Sequence, residues 1–316
     1  MKKFCILAAL LMLLLPFAGC TAQTNEEDGR LSVVALSFPP YDFARAVAGD
    51  CAEVTMLLSP GTESHSFDPT PRDIRTIRDC DLFLYGGGVS DAWMTDVLAS
   101  LGDTDVRIIA MTELTELLEQ PEEDHEHEAD HTHDEGHDHG QYDEHVWTSP
   151  SNAAAITAAI RTALCELDPE NADTYNRNAD AYIGEIKSLA AEISDFVARD
   201  AVRRTLVFAD RFPFLYFVEE FGLSYLSAFP GCAEQTEPGA QTIAALTKKV
   251  TEEKIPVVFY TEFSTQQMAD SLCESTGAEK LLFHSCHNVS KSDFDAGVTY
   301  VSLMRQNFEN LRKALQ

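Results

Sequence analysis

The feature that most constrains the fold is an alternation of short apolar runs with helical segments, arranged in two blocks. Strands that are apolar on both sides and alternate with helices belong to parallel sheets covered on both faces. The sequence therefore predicts an α/β fold of two lobes, each a four-stranded parallel sheet flanked by helices. The eight predicted strands are Leu31–Ser37, Ala52–Leu58, Asp81–Tyr85, Val106–Ala110, Thr205–Ala209, Leu223–Ala228, Pro256–Tyr260 and Lys280–His284.

Helical patterns separate these strands and join the two blocks. Asn152–Leu167 and Ala172–Ala198 follow each other with no strand between them, and apolar residues of the second recur at helical spacing over several turns. We therefore expect one long rigid linking helix (171–200) between an N-terminal lobe (31–170) and a C-terminal lobe (201–316), with a cleft between the lobes. The other predicted helices are Tyr41–Ala48, Pro71–Arg78, Ser90–Leu101, Phe214–Phe221, Pro238–Val250, Thr265–Ser275 and Phe294–Leu315.

Residues 119–144 interrupt the first block with a run of histidines and acids. Such a run has little apolar surface and strong self-repulsion, which is typical of a disordered loop. Imidazole is the commonest metal ligand at neutral pH, and carboxylates raise the local cation concentration, so the loop is interpreted as a weak metal-capturing segment. An acidic linker or a purification tag is the alternative. Six of the ten histidines lie here: His125, His127, His131, His133, His137 and His139.

The first thirty residues indicate export and anchoring. Two lysines precede the apolar run Phe4–Leu15, which is too short for a membrane span and is typical of a signal peptide, here residues 1–19. Phe17-Ala18-Gly19-Cys20 resembles the bacterial lipobox, which implies that Cys20 is acylated and that residues 20–30 form a tether on the extracytoplasmic face of the bacterial cell membrane. The alternative is cleavage to a free secreted protein.

Six cysteines follow Cys20, and none forms a Cys-x-x-Cys pair of the kind that binds zinc. An exported protein permits disulfides, and six cysteines allow fifteen complete connectivities. Cys232 and Cys286 both follow predicted strand ends in the second lobe, so they are the first candidate pair. Cys51 and Cys80 are a weaker candidate.

The four histidines outside the loop all lie at or beyond the end of a predicted strand. Ligands of open parallel sheets bind outside the carboxyl ends of the strands, so these side chains are expected to share a site. Zinc takes about four ligands, which three histidines and a carboxylate or water satisfy. The sequence predicts a metal site of His65, His145 and His284, with His287 as an additional candidate.

A set of motifs resembles one known family. Pro60-Gly61, His65 and Pro69, then the His-rich acidic insertion, then Asp143-Glu144-His145-Val146-Trp147-Thr148-Ser149-Pro150, are similar to the zinc-binding subgroup of ABC-importer solute-binding lipoproteins. The resemblance runs from about Leu31 to the C-terminus and includes Phe212, Gly222-Leu223 and Glu237-Pro238. It implies two α/β lobes with Zn²⁺ at their interface, and a monomer that delivers the ion to a membrane permease and its ATPase.

The family's ligand positions carry over only in part. By position, His65 and His145 match the first two ligands and His284 falls on the fourth, whereas Arg211 occupies the third. An arginine stays protonated and cannot bind a cation, so Arg211 is expected to pair with Glu262 or Glu237. Asp210, Glu262, Glu237 and His287 are further candidates for ligands or for supporting contacts.

Several other functions are compatible with parts of this sequence. Three neutral histidines favour zinc over manganese, which prefers carboxylate oxygen, although a manganese-binding member of the group is an alternative. An adhesin or an extracellular zinc buffer without transport fits a lipoprotein equally well. A zinc hydrolase is disfavoured because His-Glu-x-x-His is absent, so we expect no enzyme. The net charge of −29 argues against nucleic acid as a partner.

Overall fold

The structure is a computed structural model that describes residues 29–63, 67–102, 104–120, 142–229 and 239–316. Leu31–Gln316 form one compact unit; of the other unit, Met1–Arg30, the structure describes residues 29–30 only. The signal peptide, Cys20, most of the tether and residues 121–141 of the His-rich insertion lie outside the described residues.

Two parallel sheets of four strands form the frame, as the sequence predicts. The strands are β1 Leu31–Ala35, β2 Ala52–Met56, β3 Leu82–Tyr85, β4 Arg107–Ala110, β5 Thr205–Phe208, β6 Ser224–Ser227, β7 Val257–Tyr260 and β8 Glu279–Leu282. Their orders in the two sheets are β2-β1-β3-β4 and β6-β5-β7-β8, so both lobes have the same topology and all their pairings are parallel. The inner strands β3 and β7 are almost wholly buried, which explains why their sequences are apolar throughout.

Helices cover both sheets. In the first lobe they are α1 Phe38–Ala48, α2 Pro71–Arg78, α3 Met94–Leu101 and α4 Pro150–Leu167. The linking helix is α5 Ala172–Arg199, and the second lobe has α6 Leu215–Phe221, α7 Ala240–Glu252, α8 Gln267–Thr276, α9 Lys291–Asp295 and α10 Tyr300–Leu315. No helix in the described part of the chain is both long enough and apolar enough to span a membrane.

The long linking helix expected from the sequence is α5, which spans about 42 Å at the standard rise. It packs on α1 and α4 of the first lobe and on α10 of the second. Its buried residues belong to a hydrophobic cluster that also contains Val33 of β1 and Phe259 of β7. Because one core runs through both lobes, the lobes are held together by packing as well as by the chain.

A buried carboxylate reinforces this junction. Asp42 of α1 is fully buried and accepts hydrogen bonds from the Tyr182 hydroxyl of α5 and, at 2.8 Å, from the backbone N–H of Tyr300 at the start of α10. Arg45 donates to the other carboxylate oxygen at 2.8 Å. Burial raises the pKa of Asp42, and these donors oppose that rise by stabilising its charge.

One predicted helix is two helices in the structure. It predicted a single helix from Phe294 to Leu315, but the structure has α9 and α10 with a break between them. Gly297 takes a left-handed conformation (φ 72°), and Thr299 forms a capping box with Ser302 that begins α10. These local signals end one helix and begin the next.

Candidate metal centre

His145 is the best-defined candidate ligand. It is 1% exposed and begins the short 3₁₀ turn Val146–Thr148. The Asp143 carboxylate accepts from the backbone N–H of His145 at 2.8 Å and lies 3.0 Å from its ring Nδ1. This contact places the proton on Nδ1 and the lone pair on Nε2, which is the usual arrangement of a metal-binding histidine supported by a carboxylate.

His287 of the second lobe lies beside His145. The two ring centroids are 5.5 Å apart, and the Trp147 ring contacts both, at 5.3 Å from His145 and 4.8 Å from His287. The Trp147 indole N–H donates to the Ser285 carbonyl at 2.9 Å, which links the two lobes here. We call the buried His145 and Trp147, together with the half-buried His287, the buried wall of the cleft.

The cleft between the lobes encloses about 50 Å³ and is lined by His145, His287, Glu262, Arg211 and Glu63. Sites for organic ligands typically enclose about 300–1,000 Å³ and are mainly apolar. This cleft is far smaller and is polar, so its size and chemistry suit a single cation with one or two waters.

Glu262 supports His287 through Ser285. Its two carboxylate oxygens accept from the Ser285 backbone N–H at 2.8 Å and from the Ser285 hydroxyl. The same hydroxyl accepts from the backbone N–H of His287 at 3.2 Å. The side chain of Glu262 is only 10% exposed, so these bonds fix the turn that carries His287.

His284, which the sequence assigned as the third ligand, is placed differently. Its ring Nδ1 accepts from the Cys286 backbone N–H at 2.9 Å, and Asn307 binds its backbone N–H and carbonyl, each at 2.7 Å. It does not line the cleft. The left-handed Cys286 (φ 62°) turns the chain between the two histidines, and His287 faces the cleft. Of the two histidines, His287 lines the cleft, whereas His284 Nδ1 lies 3.6 Å from the Glu262 carboxylate.

Arg211 and Glu63 face each other across the opening, and we call this pair the exposed rim. Arg211 Nη1 lies 3.9 Å from Glu63 Oε1, and the side chains are 33% and 45% exposed. The sequence named Glu262 or Glu237 as the partner of Arg211; the ion pair in the described part of the chain is with Glu63, and Glu237 lies outside it.

Asp210 has a structural place next to the rim. One carboxylate oxygen accepts from the Arg211 backbone N–H at 2.8 Å. The other accepts from the backbone N–H and hydroxyl of Thr261 at 3.0 and 2.9 Å. These bonds tie the loop after β5 to the loop after β7, so the Asp210 carboxylate is engaged in joining loops.

His65 belongs to residues 64–66, which lie outside the described residues, but the loop leading to it is described. The Asn288 side-chain amide donates to the carbonyls of Ser59 and Thr62, both at 2.9 Å. The Gly61 backbone N–H donates to the Val289 carbonyl at 2.8 Å. The chain that precedes His65 is therefore attached to the residues that follow His287. Among the described residues alone, no group of three or more His, Cys, Asp or Glu side chains forms a metal site.

The described part of the chain contains no disulfide. Cys286 is a fully buried free thiol whose pKa is raised well above its ordinary value by burial, and Cys51 and Cys80 are also free thiols. Cys232 lies outside the described residues, as do the six histidines of the insertion.

Comparison with known proteins agrees with this geometry. Residues 33–314 match the family model described as ZnuA, zinc-uptake complex component A, periplasmic. The chain belongs to the ZnuA family. It is 32% identical over 99% of its length to the zinc-binding lipoprotein AdcA of Streptococcus pneumoniae (strain ATCC BAA-255 / R6), of which it spans 61%. It is 30% identical over 93% of its length to the high-affinity zinc uptake system protein ZnuA of Bacillus subtilis (strain 168), of which it spans 90%.

A solved structure of the family has the same fold. The Zn(II)-bound ZnuA-like domain of Streptococcus pneumoniae AdcA superimposes with a TM-score of 0.75 at 28% identity, over 91% of this chain and 99% of that domain. The two-lobed architecture is thus that of the ZnuA-like domain.

Proposed function

We propose that this chain is the extracytoplasmic solute-binding component of an ABC importer, which captures zinc in the interlobe cleft and delivers it to a membrane permease driven by an ATPase. The observation that carries the proposal is the pair formed by His145 and His287 in a polar cleft of about 50 Å³. The names of the relatives, which refer to zinc binding and zinc uptake, support the choice of ion and of process.

The ligand set proposed for zinc is His65, His145 and His287. The first lobe supplies His65 and His145, and the second supplies His287, so the bound ion holds the lobes together. Imidazole nitrogen suits zinc, whereas manganese prefers more carboxylate oxygen. Glu262 borders the cleft and is the nearest candidate for a fourth ligand, although its oxygens already accept from Ser285.

A hydrolase is disfavoured by the same contacts. Metal-dependent hydrolysis needs a general base within reach of a metal-bound water. Glu262 is engaged with Ser285, and Glu63 pairs with Arg211 at the exposed rim. We therefore propose a binding role without catalysis.

The parts of the chain outside the described residues complete the proposal. Cys20 is proposed as the lipid anchor that keeps the protein, as a monomer, at the outer face of the membrane. The six histidines of the insertion are proposed to bind several zinc ions weakly and to raise the zinc concentration near His145. Their sites must be ordered by the ion itself, which lowers affinity.

The proposal is tested by competition between the full mature chain and a zinc chelator. We expect one tight zinc ion per chain and several weaker ions. His145→Ala should abolish the tight site and leave the weak ones, and deletion of residues 122–138 should do the reverse. Retention of tight zinc by His145→Ala, or tighter binding of manganese than of zinc by the wild type, would overturn the assignment.

A further inference from the structure

Tyr216 of α6 joins the two lobes at the base of the His-rich insertion. Its hydroxyl donates to the Asp143 carbonyl at 2.7 Å and accepts from the Leu118 backbone N–H at 3.1 Å. Leu118 and Asp143 come from the two sides of the insertion, and Asp143 N–H donates to the Leu118 carbonyl at 2.9 Å. A bridge between Glu119 and Tyr142 continues this pairing. One hydroxyl of the second lobe thus holds both ends together.

Glu220 lies one turn later on the same face of α6. Its carboxylate accepts from the Ser151 hydroxyl at 2.6 Å, from the Ser151 backbone N–H at 3.2 Å, and from the Ser149 hydroxyl. Ser149 caps the start of α4. Residues four apart on a helix project in the same direction, so Tyr216 and Glu220 hold the same stretch of the first lobe at two points.

His145 lies between these two points. Asp143, whose carbonyl binds Tyr216, is the residue whose carboxylate orients the His145 ring. Asp143 is 1% exposed and Tyr216 is 4% exposed, so water has little access to replace a lost bond. A shift of the Asp143 backbone therefore passes directly to the imidazole.

Helix α6 is itself fixed to the strand end that leads to His287. The Phe283 ring, one residue after β8, contacts Phe214 and Phe217 with ring centroids 4.9 and 5.3 Å apart. Helix α6, which holds the segment of His145, is thus packed on the strand end that leads to His287.

We infer that Tyr216 and Glu220 are positioning residues for zinc, which set the place of His145 relative to His287 across the lobe boundary. The inference rests on the proposed function. Ligands held in place lose little entropy when they bind an ion, so loss of the two contacts weakens the ordered site and leaves the ligands themselves intact.

The first experiment compares Tyr216→Phe with Tyr175→Phe. Tyr175→Phe also removes a hydroxyl that donates a hydrogen bond, in this case to the Asp168 carboxylate at 2.7 Å, but Tyr175 lies on α5 away from the cleft. Supporting contacts of metal ligands are worth about 10-fold to 100-fold in affinity, so Tyr216→Phe should weaken zinc binding by at least about tenfold and speed zinc release, whereas Tyr175→Phe should leave both unchanged. Equal zinc affinity in wild type and Tyr216→Phe would overturn the inference.

A second arm separates positioning from general stability. In Asp143→Asn the support of the His145 ring is already weakened, so adding Tyr216→Phe should lower zinc affinity by less than about threefold, and fully additive losses would contradict the inference.

Nitrogen-15 NMR of the His145 ring should show one tautomer in the wild type and a mixture in Tyr216→Phe. If Tyr216→Phe does not fold, Glu220→Gln carries the same test. A wild type without tight zinc would instead refute the proposed function.

Discussion

The two sides of the cleft are built in opposite ways. The buried wall of His145, Trp147 and His287 is held by hydrogen bonds from both lobes, and His145 is almost inaccessible to water. The exposed rim consists of one long-range ion pair, Arg211 with Glu63, whose partners are one-third to nearly one-half exposed. Exposed ion pairs contribute about 0–1 kcal/mol, whereas breaking a buried charged network costs several kcal/mol. Placement of the proposed ligands is therefore expected to depend on the wall, and the charges of the rim are expected to adjust the affinity for a cation.

The largest effect is expected where the interlobe junction is buried. Asp42→Ala removes the shared acceptor of Tyr182, Tyr300 and Arg45, and should lower the free energy of unfolding by about 3 kcal/mol. Urea denaturation measures this change. The matched control is Asp180→Ala, which breaks the ion pair between Asp180 and Arg161. The side chain of Asp180 is 72% exposed. The control should cost less than about 1 kcal/mol, and equal losses would remove the contrast between buried and exposed contacts.

The next prediction distinguishes the two candidate histidines of the second lobe. His287→Ala should weaken zinc binding at least about a hundredfold, or about 2.7 kcal/mol, because it removes a ligand from the wall. His284→Ala should weaken it less than about tenfold, because His284 contacts Cys286 and Asn307 and does not line the cleft. Chelator competition measures both. The reverse ranking would restore His284 as the ligand and would mean that the turn at Cys286 is arranged differently in solution.

The free energy of unfolding is expected to depend on pH through Asp91, which lies close to the buried wall. Its carboxylate accepts from the Gly87 N–H, and burial, together with the charge of Glu144, raises its pKa from 3.8 to about 6. Because the folded state favours the protonated acid, stability from this group is present below pH 3.8 and is lost as the pH rises through about 6.

Asp91→Asn keeps the neutral form at every pH. Relative to the wild type, it should gain about 2–3 kcal/mol of unfolding free energy as the pH is raised from about 4 to about 7. Denaturant unfolding at several pH values measures the gain. A difference between the two proteins that stays constant over this range would show that Asp91 ionises normally.

The smallest effect is expected at the rim. Arg211→Gln should change the free energy of unfolding by less than about 1 kcal/mol, since its ion pair is exposed. It should strengthen zinc binding by up to about tenfold, because it removes a positive charge from the cleft. Glu63→Gln is the control of opposite sign: it removes a negative charge from the rim, so it should weaken zinc binding. If Arg211→Gln binds zinc less tightly than the wild type, the guanidinium supports the site rather than opposing it.

The fold could be predicted because its signals are long or repeated. Inner strands such as β3 and β7 are apolar runs between helical segments, and the buried positions of α5 recur every three or four residues over its whole length. The break between α9 and α10 was missed because Gly297 and the capping residue Thr299 are single-residue signals within a helical pattern.

The site could be predicted only in part. His145 and the polar cleft follow from strand ends meeting at one edge of each sheet. The sequence placed His284 at the end of the predicted strand, whereas β8 ends at Leu282 and the chain then turns through a left-handed cysteine, after which His287 lines the cleft. A cysteine rarely adopts that conformation, so nothing in the sequence indicated the turn. The pairing of Arg211 with Glu63 joins residues 148 positions apart, which no local pattern reveals.

The packing of α5 restricts insertions and deletions within this helix. Its buried residues form one stripe that faces both lobes, from Tyr175 to Phe196. One residue added within the helix would rotate everything after it by about 100°, and the remainder of the stripe would turn away from its partners. Substitutions in α5 that keep the spacing affect the contacts of a single residue, but a one-residue insertion or deletion puts the two lobes out of register with each other. The number of residues between Ala172 and Arg199 is thus constrained independently of their identity.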